Sequence, residues 1–269
     1  MAPFSRLALI ALACSAAFVN SAPVLAPPNV TGPPAAFANA NEATTTPLHK
    51  RASAATITTH CTAPGTVAIT FDDGPYEYTS KLLDILKAKN VKATFFVNGN
   101  NYAKIEDFAT VVKRAYTDGH QVASHTWDHA DLAKLSSSKV TSEMTMLDAA
   151  LKKILGVRPV FMRPPYGSTS STALKVLGNL GYKVITWDVD TEDWQHPTNV
   201  NASFVHYTNT LGKSGENKKP GHIFLEHDVN HDTALLLAPK AIDYALSKGF
   251  KVVTVGTCLG VAQKNWYRA

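Results

Sequence analysis

VAITFDDGPYEYTSKLLDILKAK, residues 67–89, decides the fold of this chain. Val67–Phe71 is a short apolar run of the kind that forms a buried strand. It breaks at Asp72-Asp73-Gly74-Pro75, and a helical pattern follows near Ser80–Lys89. A strand followed by a helix must return to a parallel neighbour, so this stretch predicts a βα unit. The turn carries two acids where a dinucleotide fold would carry a glycine-rich phosphate loop, which argues against that fold.

The same unit recurs along the chain. Further strands are expected at Ala93–Asn98, Gln121–Ser124, Val160–Met162, Lys183–Trp187, His222–Glu226 and Lys251–Val255. Helices are expected near Lys104–Asp118, Lys139–Leu155, Ser171–Leu180, Ala202–Leu211 and Thr233–Lys248. In Lys139–Leu155 the apolar residues Met144, Leu147, Leu151 and Ile154 recur at helical steps, and Gly119, Gly156, Gly181 and Gly249 sit where helices should stop. Seven such units predict an α/β fold, an incomplete (β/α) barrel with about seven parallel strands.

Upstream of the first strand the composition changes. Arg6, the apolar run Leu7–Val19 and the small residue Ser21 read as a signal peptide over residues 1–21. Residues 22–51 are rich in Ala, Pro, Asn and Thr without periodicity, and end in the dibasic pair Lys50-Arg51. They read as a pro-peptide or disordered linker, with 52–269 as the catalytic domain. Cys14 would leave with the signal peptide, so Cys61 and Cys258 remain as an even pair expected to form a disulfide in an oxidising compartment. The mature chain would have 218 residues and a net charge of +3, against +5 for the whole chain. With no long basic run, that charge does not call for nucleic acid, and no apolar stretch is long enough for a membrane span. Asn201-Ala202-Ser203 offers a glycosylation site at Asn201.

In a parallel barrel, chemistry belongs at the C-terminal strand ends. Five expected strands end in ionisable clusters: Asp72-Asp73, His125-Thr126-Trp127-Asp128-His129, Arg163-Pro164-Pro165-Tyr166-Gly167, Asp188 to Trp194, and Leu225-Glu226-His227-Asp228. His125 and His129 are four apart, so one helical turn would bring their imidazoles to one side. Two imidazoles and a carboxylate from Asp72 or Asp73 would make a catalytic zinc site that keeps a position for water. Neighbouring strand residues point to opposite faces, so one acid can ligate while the other handles a proton.

Together the TFDDGP, HTWDH, RPPYG, DxxDW and LEH segments resemble the five successive motifs of the polysaccharide deacetylases of carbohydrate esterase family 4, over residues 61–258. HTWDHADLAKLS and AITFDDGPYEYTSKLLDIL are most similar to the fungal chitin deacetylase branch. The resemblance implies a distorted (β/α) barrel and a divalent metal, zinc or a replacement such as cobalt. It implies hydrolysis of the N-acetyl groups of N-acetylglucosamine units in chitin or its oligomers, releasing acetate and leaving glucosamine. By position it makes Asp73, His125 and His129 the metal ligands and Asp72 the general base, oriented by Arg163. His227 becomes the general acid, tuned by Asp190 and walled by Trp194. Tyr166 would offer its backbone N–H to the oxyanion, and Leu225 would line the pocket for the acetyl methyl. Trp127, Trp194 and Tyr76 are candidates for stacking on sugar rings.

Acetylxylan and peptidoglycan deacetylases share these parts, so the polymer stays open at this point. A chitinase would need two carboxyls flanking the glycosidic bond and would leave both histidines and Arg163 unexplained. A non-catalytic chitin-binding protein would have no need of the complete ligand and base set. The expectation is therefore a secreted monomeric enzyme of the extracellular space or cell wall.

Overall fold

The computed structural model describes residues 53–212 and 220–269. The expected signal peptide and the segment ending at Arg51 lie outside the described residues. Along the chain, β1 (Ile57–Thr58) and β2 (Thr66–Asp72) precede α1 (Thr79–Ala88), β3 (Thr94–Val97) precedes α2 (Ala109–Thr117), and β4 (Gln121–Ser124) precedes α3 (Ser137–Leu155). Then come β5 (Arg158–Pro159), β6 (Phe161–Met162), α4 (Ser171–Asn179), β7 (Lys183–Ile185), β8 (Val189–Asp190) and α5 (Val200–Leu211). The chain continues through β9 (His222–His227), α6 (Ala238–Ser247), β10 (Lys251–Val252), α7 (Val255–Cys258) and β11 (Tyr267–Arg268).

Eight strands form one parallel path, β1-β7-β6-β4-β3-β2-β9-β8, which curls into a distorted, incomplete barrel. The path holds eight strands where about seven were expected. β1 and β8 are the additions, each two residues long and too short to leave a periodic pattern. The seventh expected strand shrinks to β10, because Thr254 caps the helix that follows by accepting the N–H of Thr257. β10 pairs with the first residues of β2 while β3 pairs with the last, so the two strands share one edge of β2. The path does not close on itself. The run Lys183–Asp190 spans the seam, pairing through β7 with β6 and β1 and through β8 with β9.

All seven residues of β2 are buried, because the strand separates two cores. Val67, Ile69 and Phe71 face the helices and pack with Leu82, Leu83 and Leu86 of α1, each of which contributes about 1.5–3 kcal/mol by leaving water. Ala68 belongs to the other core, with Phe96, Ala123, Phe161 and Ile223. Period-two alternation therefore turns Thr70 and Asp72 to the barrel interior as well. Cys61 and Cys258 are buried in that inner core and joined by a disulfide. Among the described residues no helix is long and apolar enough to cross a membrane.

Candidate active site

A cavity of about 720 Å³ opens at the C-terminal ends of the strands, and Asp72, Asp73, His125, His129 and His227 all line it. β2 ends at Asp72, and Asp73 adopts a left-handed backbone (φ 73) just beyond it. The alternation expected of neighbouring strand residues therefore stops between them, and both side chains meet the same cavity with different partners.

Residues 125–129 do not form the expected helical turn. They make an irregular bend with left-handed Thr126 (φ 73) and His129 (φ 55), which still brings the two imidazoles to 4.9 Å between ring centroids. Asp73 Oδ1 lies 3.6 Å from His125 Nε2 and 3.2 Å from His129 Nε2. One ligand atom from each of the three residues falls within 4.8 Å of the others.

Three observations fit this group to a divalent metal. Asp73 Oδ1 is buried and has no hydrogen-bond partner. Burial pushes both histidines below their ordinary value, His125 well below it, which favours the neutral, ligating form. His125 Nδ1 sits 2.8 Å from the carbonyl oxygen of Arg163, which can only accept, so Nδ1 carries the proton and Nε2 presents its lone pair.

Asp72 occupies the opposite chemical role. Arg163 is fully buried, lies over the Phe96 ring and donates from Nη1 to Thr70 Oγ1 (2.6 Å) and Asp72 Oδ1 (2.7 Å). Its Nη2 donates to the carbonyl of Thr186 in the seam. Burial raises the Asp72 carboxyl to about 6, with the Arg163 charge holding it down. It is therefore mostly ionised at neutral pH and close enough to that range to take up a proton.

The acid beside His227 is Asp193 rather than Asp190. Asp193 Oδ1 stands 2.8 Å from His227 Nδ1, while Oδ2 accepts from the His227 backbone N–H and from Thr233 Oγ1. Asp190 lines the cavity but spends Oδ1 on the backbone N–H of Glu192. The reason is a turn: Thr191 is anchored to the Leu225 carbonyl and Glu192 is left-handed (φ 54), so the chain folds back and delivers Asp193. Burial opposes a charge on His227, but Asp193, followed by Asp72 and Asp73, outweighs it and raises the imidazole to about 9.

Leu225, Tyr166 and Trp194 line the cavity, the latter two 69% and 56% exposed at its mouth. Tyr166 is left-handed (φ 60), and its hydroxyl lies 3.2 Å from His129 Nδ1. Two expected sugar platforms, Trp127 and Tyr76, do not themselves line this cavity. Trp127 packs on the outer core against Gly99, and Tyr76 packs in an aromatic group with Tyr78, Tyr102 and Phe108. Tyr102, Asn101, Trp187, Val229 and Asn230 line the cavity instead, from loops without any motif spacing. Asn201 is exposed on α5, with Oδ1 accepting from Lys240.

The family model for polysaccharide deacetylase matches residues 59–185. A chitin deacetylase of Pestalotiopsis sp. is 47% identical over 234 residues, which cover 86% of this chain and 76% of that protein. The chain belongs to the polysaccharide deacetylase family. A probable peptidoglycan-N-acetylglucosamine deacetylase of Arthroderma benhamiae is also 47% identical, over 77% of this chain and 47% of its own length. Among solved structures, the chitin deacetylase of the fungal pathogen Colletotrichum lindemuthianum has a TM-score of 0.75 at 42% identity, covering 80% of this chain and 96% of that one. The protein is thus an enzyme, a deacetylase of polysaccharides. Relatives named for two polymers match at equal identity, so identity alone does not distinguish chitin from peptidoglycan.

Proposed function

We propose that this deacetylase removes N-acetyl groups from N-acetylglucosamine units of chitin or its oligomers, with Asp73, His125 and His129 holding a zinc ion. The observation that carries the reading is the pairing, in one cavity with that ligand group, of an Arg163-held carboxylate and an Asp193-held imidazole. The chemistry a zinc ion supplies when bound is Lewis acidity toward the acetyl carbonyl and the attacking water.

Asp72 takes the proton of the attacking water, because Arg163 holds Oδ1 and leaves Oδ2 on the His125 side, 3.7 Å from Nε2. The backbone N–H of Tyr166 donates to the developing oxyanion, a kind of contact worth about 2.7–4 kcal/mol. His227, charged at neutral pH and held at Nδ1 by Asp193, passes the Nε2 proton to the departing amine. Leu225 closes the apolar wall beside the acetyl methyl. Among the described residues no Lys or Arg lines the cavity, so a lactyl carboxylate on peptidoglycan would find no lysine or arginine to pair with there. Asn101, Tyr102, Trp194 and Asn230 suit an uncharged pyranose chain. The Cys61–Cys258 bond supports secretion into an oxidising extracellular space or cell wall, where Asn201 would be open to glycosylation.

Acetate release from chitin oligomers, acetylxylan and peptidoglycan fragments, with and without chelator, tests the reading. Release should be fastest from chitin oligomers, leave chain length intact, stop with chelator and return with zinc. Asp72→Asn should abolish release while zinc still binds. Faster release from acetylxylan or peptidoglycan would overturn the chitin assignment, and full activity in chelator would overturn the metal.

A further inference from the structure

Asp73 and the two histidines come from loops after β2 and β4, and β3 lies between those strands. Asn98 follows directly on β3 and is 1% exposed. Its backbone N–H donates to the Gly74 carbonyl at 3.0 Å, one residue beyond Asp73. Its side-chain Nδ2 donates to the carbonyls of His125 at 2.5 Å and Thr126 at 3.1 Å. One residue thereby ties together both loops that carry the ligand group.

The bend it holds is not one the backbone adopts cheaply. Thr126 is β-branched and left-handed, a combination that persists only where the surroundings impose it. The neighbours of Asn98 extend the same clasp. Gly99 N–H donates to the Thr126 and Trp127 carbonyls, Asn100 N–H donates to the Trp127 carbonyl, and Asn100 Nδ2 donates to Asp128 Oδ1. A Cβ at position 99 would fall 1.9 Å from the Trp127 ring, so only glycine allows the two segments to lie this close. Asn98 Oδ1 in turn accepts from Asn101 Nδ2 at 3.3 Å, and Asn101 lines the cavity.

We infer that Asn98 is a positioning residue for the metal site, setting the separation of Asp73 from His125 and His129 through the Gly74, His125 and Thr126 carbonyls. The inference rests on the reading that those three side chains hold a metal. Partners that orient ligands from behind are worth about 10- to 100-fold in metal affinity.

The test is cobalt binding to the full chain, read by competition with a chromophoric chelator and by the visible absorption of the bound ion. Asn98→Asp keeps the shape of the side chain but turns the donor into an acceptor facing two carbonyls. It should weaken cobalt binding about 10- to 100-fold and alter the absorption spectrum. Leu151→Ala, a buried change on α3, supplies a destabilised comparison and should keep the parental affinity and spectrum. Should Asn98→Asp not fold, Asn98→Ser carries the same test, its short hydroxyl being unable to reach both carbonyls. Parental affinity and spectrum in the Asn98 variant would overturn the inference. So would an equal loss of affinity in Leu151→Ala at an equal drop in melting temperature. If the parent takes up no cobalt, or His125→Ala takes it up equally well, the metal reading itself falls and the role of Asn98 with it.

Discussion

Asp193→Asn is expected to move the alkaline limb of the activity profile, whereas Asp190→Asn is expected to leave it in place. In the parent enzyme His227 is raised to about 9, against burial, chiefly by Asp193. Holding it there rather than at 6.5 corresponds to roughly 3 kcal/mol in favour of the charged ring. Activity that needs the imidazolium therefore persists through neutral pH and falls as pH rises through about 9. Without the Asp193 charge, burial remains and acts in the opposite direction. Even a return only to 6.5 would cut the protonated fraction at pH 8 about 30-fold. An asparagine would also turn its amide N–H₂ toward His227 Nδ1, because its one carbonyl oxygen is drawn to the two donors that Asp193 Oδ2 now accepts. That arrangement favours the neutral ring. The stability contribution has the same sign: the raised His227 stabilises the fold fully below 6.5 and progressively less as pH rises through about 9. The assay is kcat and kcat/KM for acetate release from a chitin oligomer between pH 5 and 10, with the folded state checked by circular dichroism. A limb that moves in Asp190→Asn and stays in Asp193→Asn would refute the assignment.

Three further perturbations follow from packing and from the disulfide. Trp194→Ala should leave stability within about 0.5 kcal/mol, since the residue is 56% exposed, and should raise KM for long oligomers. Trp127→Ala should cost about 3 kcal/mol in urea unfolding, because its ring fills the space over Gly99, and equal stability in the two variants would contradict this placement. Cys61→Ser with Cys258→Ser should lower stability by roughly 2–5 kcal/mol, the bridge closing a separation of 197 residues. An unchanged urea midpoint would show that the bond does not constrain the unfolded chain.

Much of the fold was readable because its signals are local. An apolar run such as Ala93–Asn98 sits between two helical patterns, and the periodicities of strand and helix differ. The clustering of ionisable residues after such runs is equally local, and it points to the C-terminal face of the sheet. What could not be read was the direction of each side chain once the chain leaves a strand. Period two ends at Asp72, and left-handed residues at Asp73, Thr126, His129, Tyr166 and Glu192 then choose directions that no repeat encodes.

The sequence by itself therefore determined the order of the longer strands and helices along the chain and the chemical types gathered at their ends. Only the tertiary structure decided that Asp193 rather than Asp190 meets His227, that Trp127 packs against the outer core, and that Asn98 joins the two ligand loops. The physical reason is that these contacts join residues distant in sequence through turns whose handedness depends on the surrounding packing, and a local pattern carries no record of that packing.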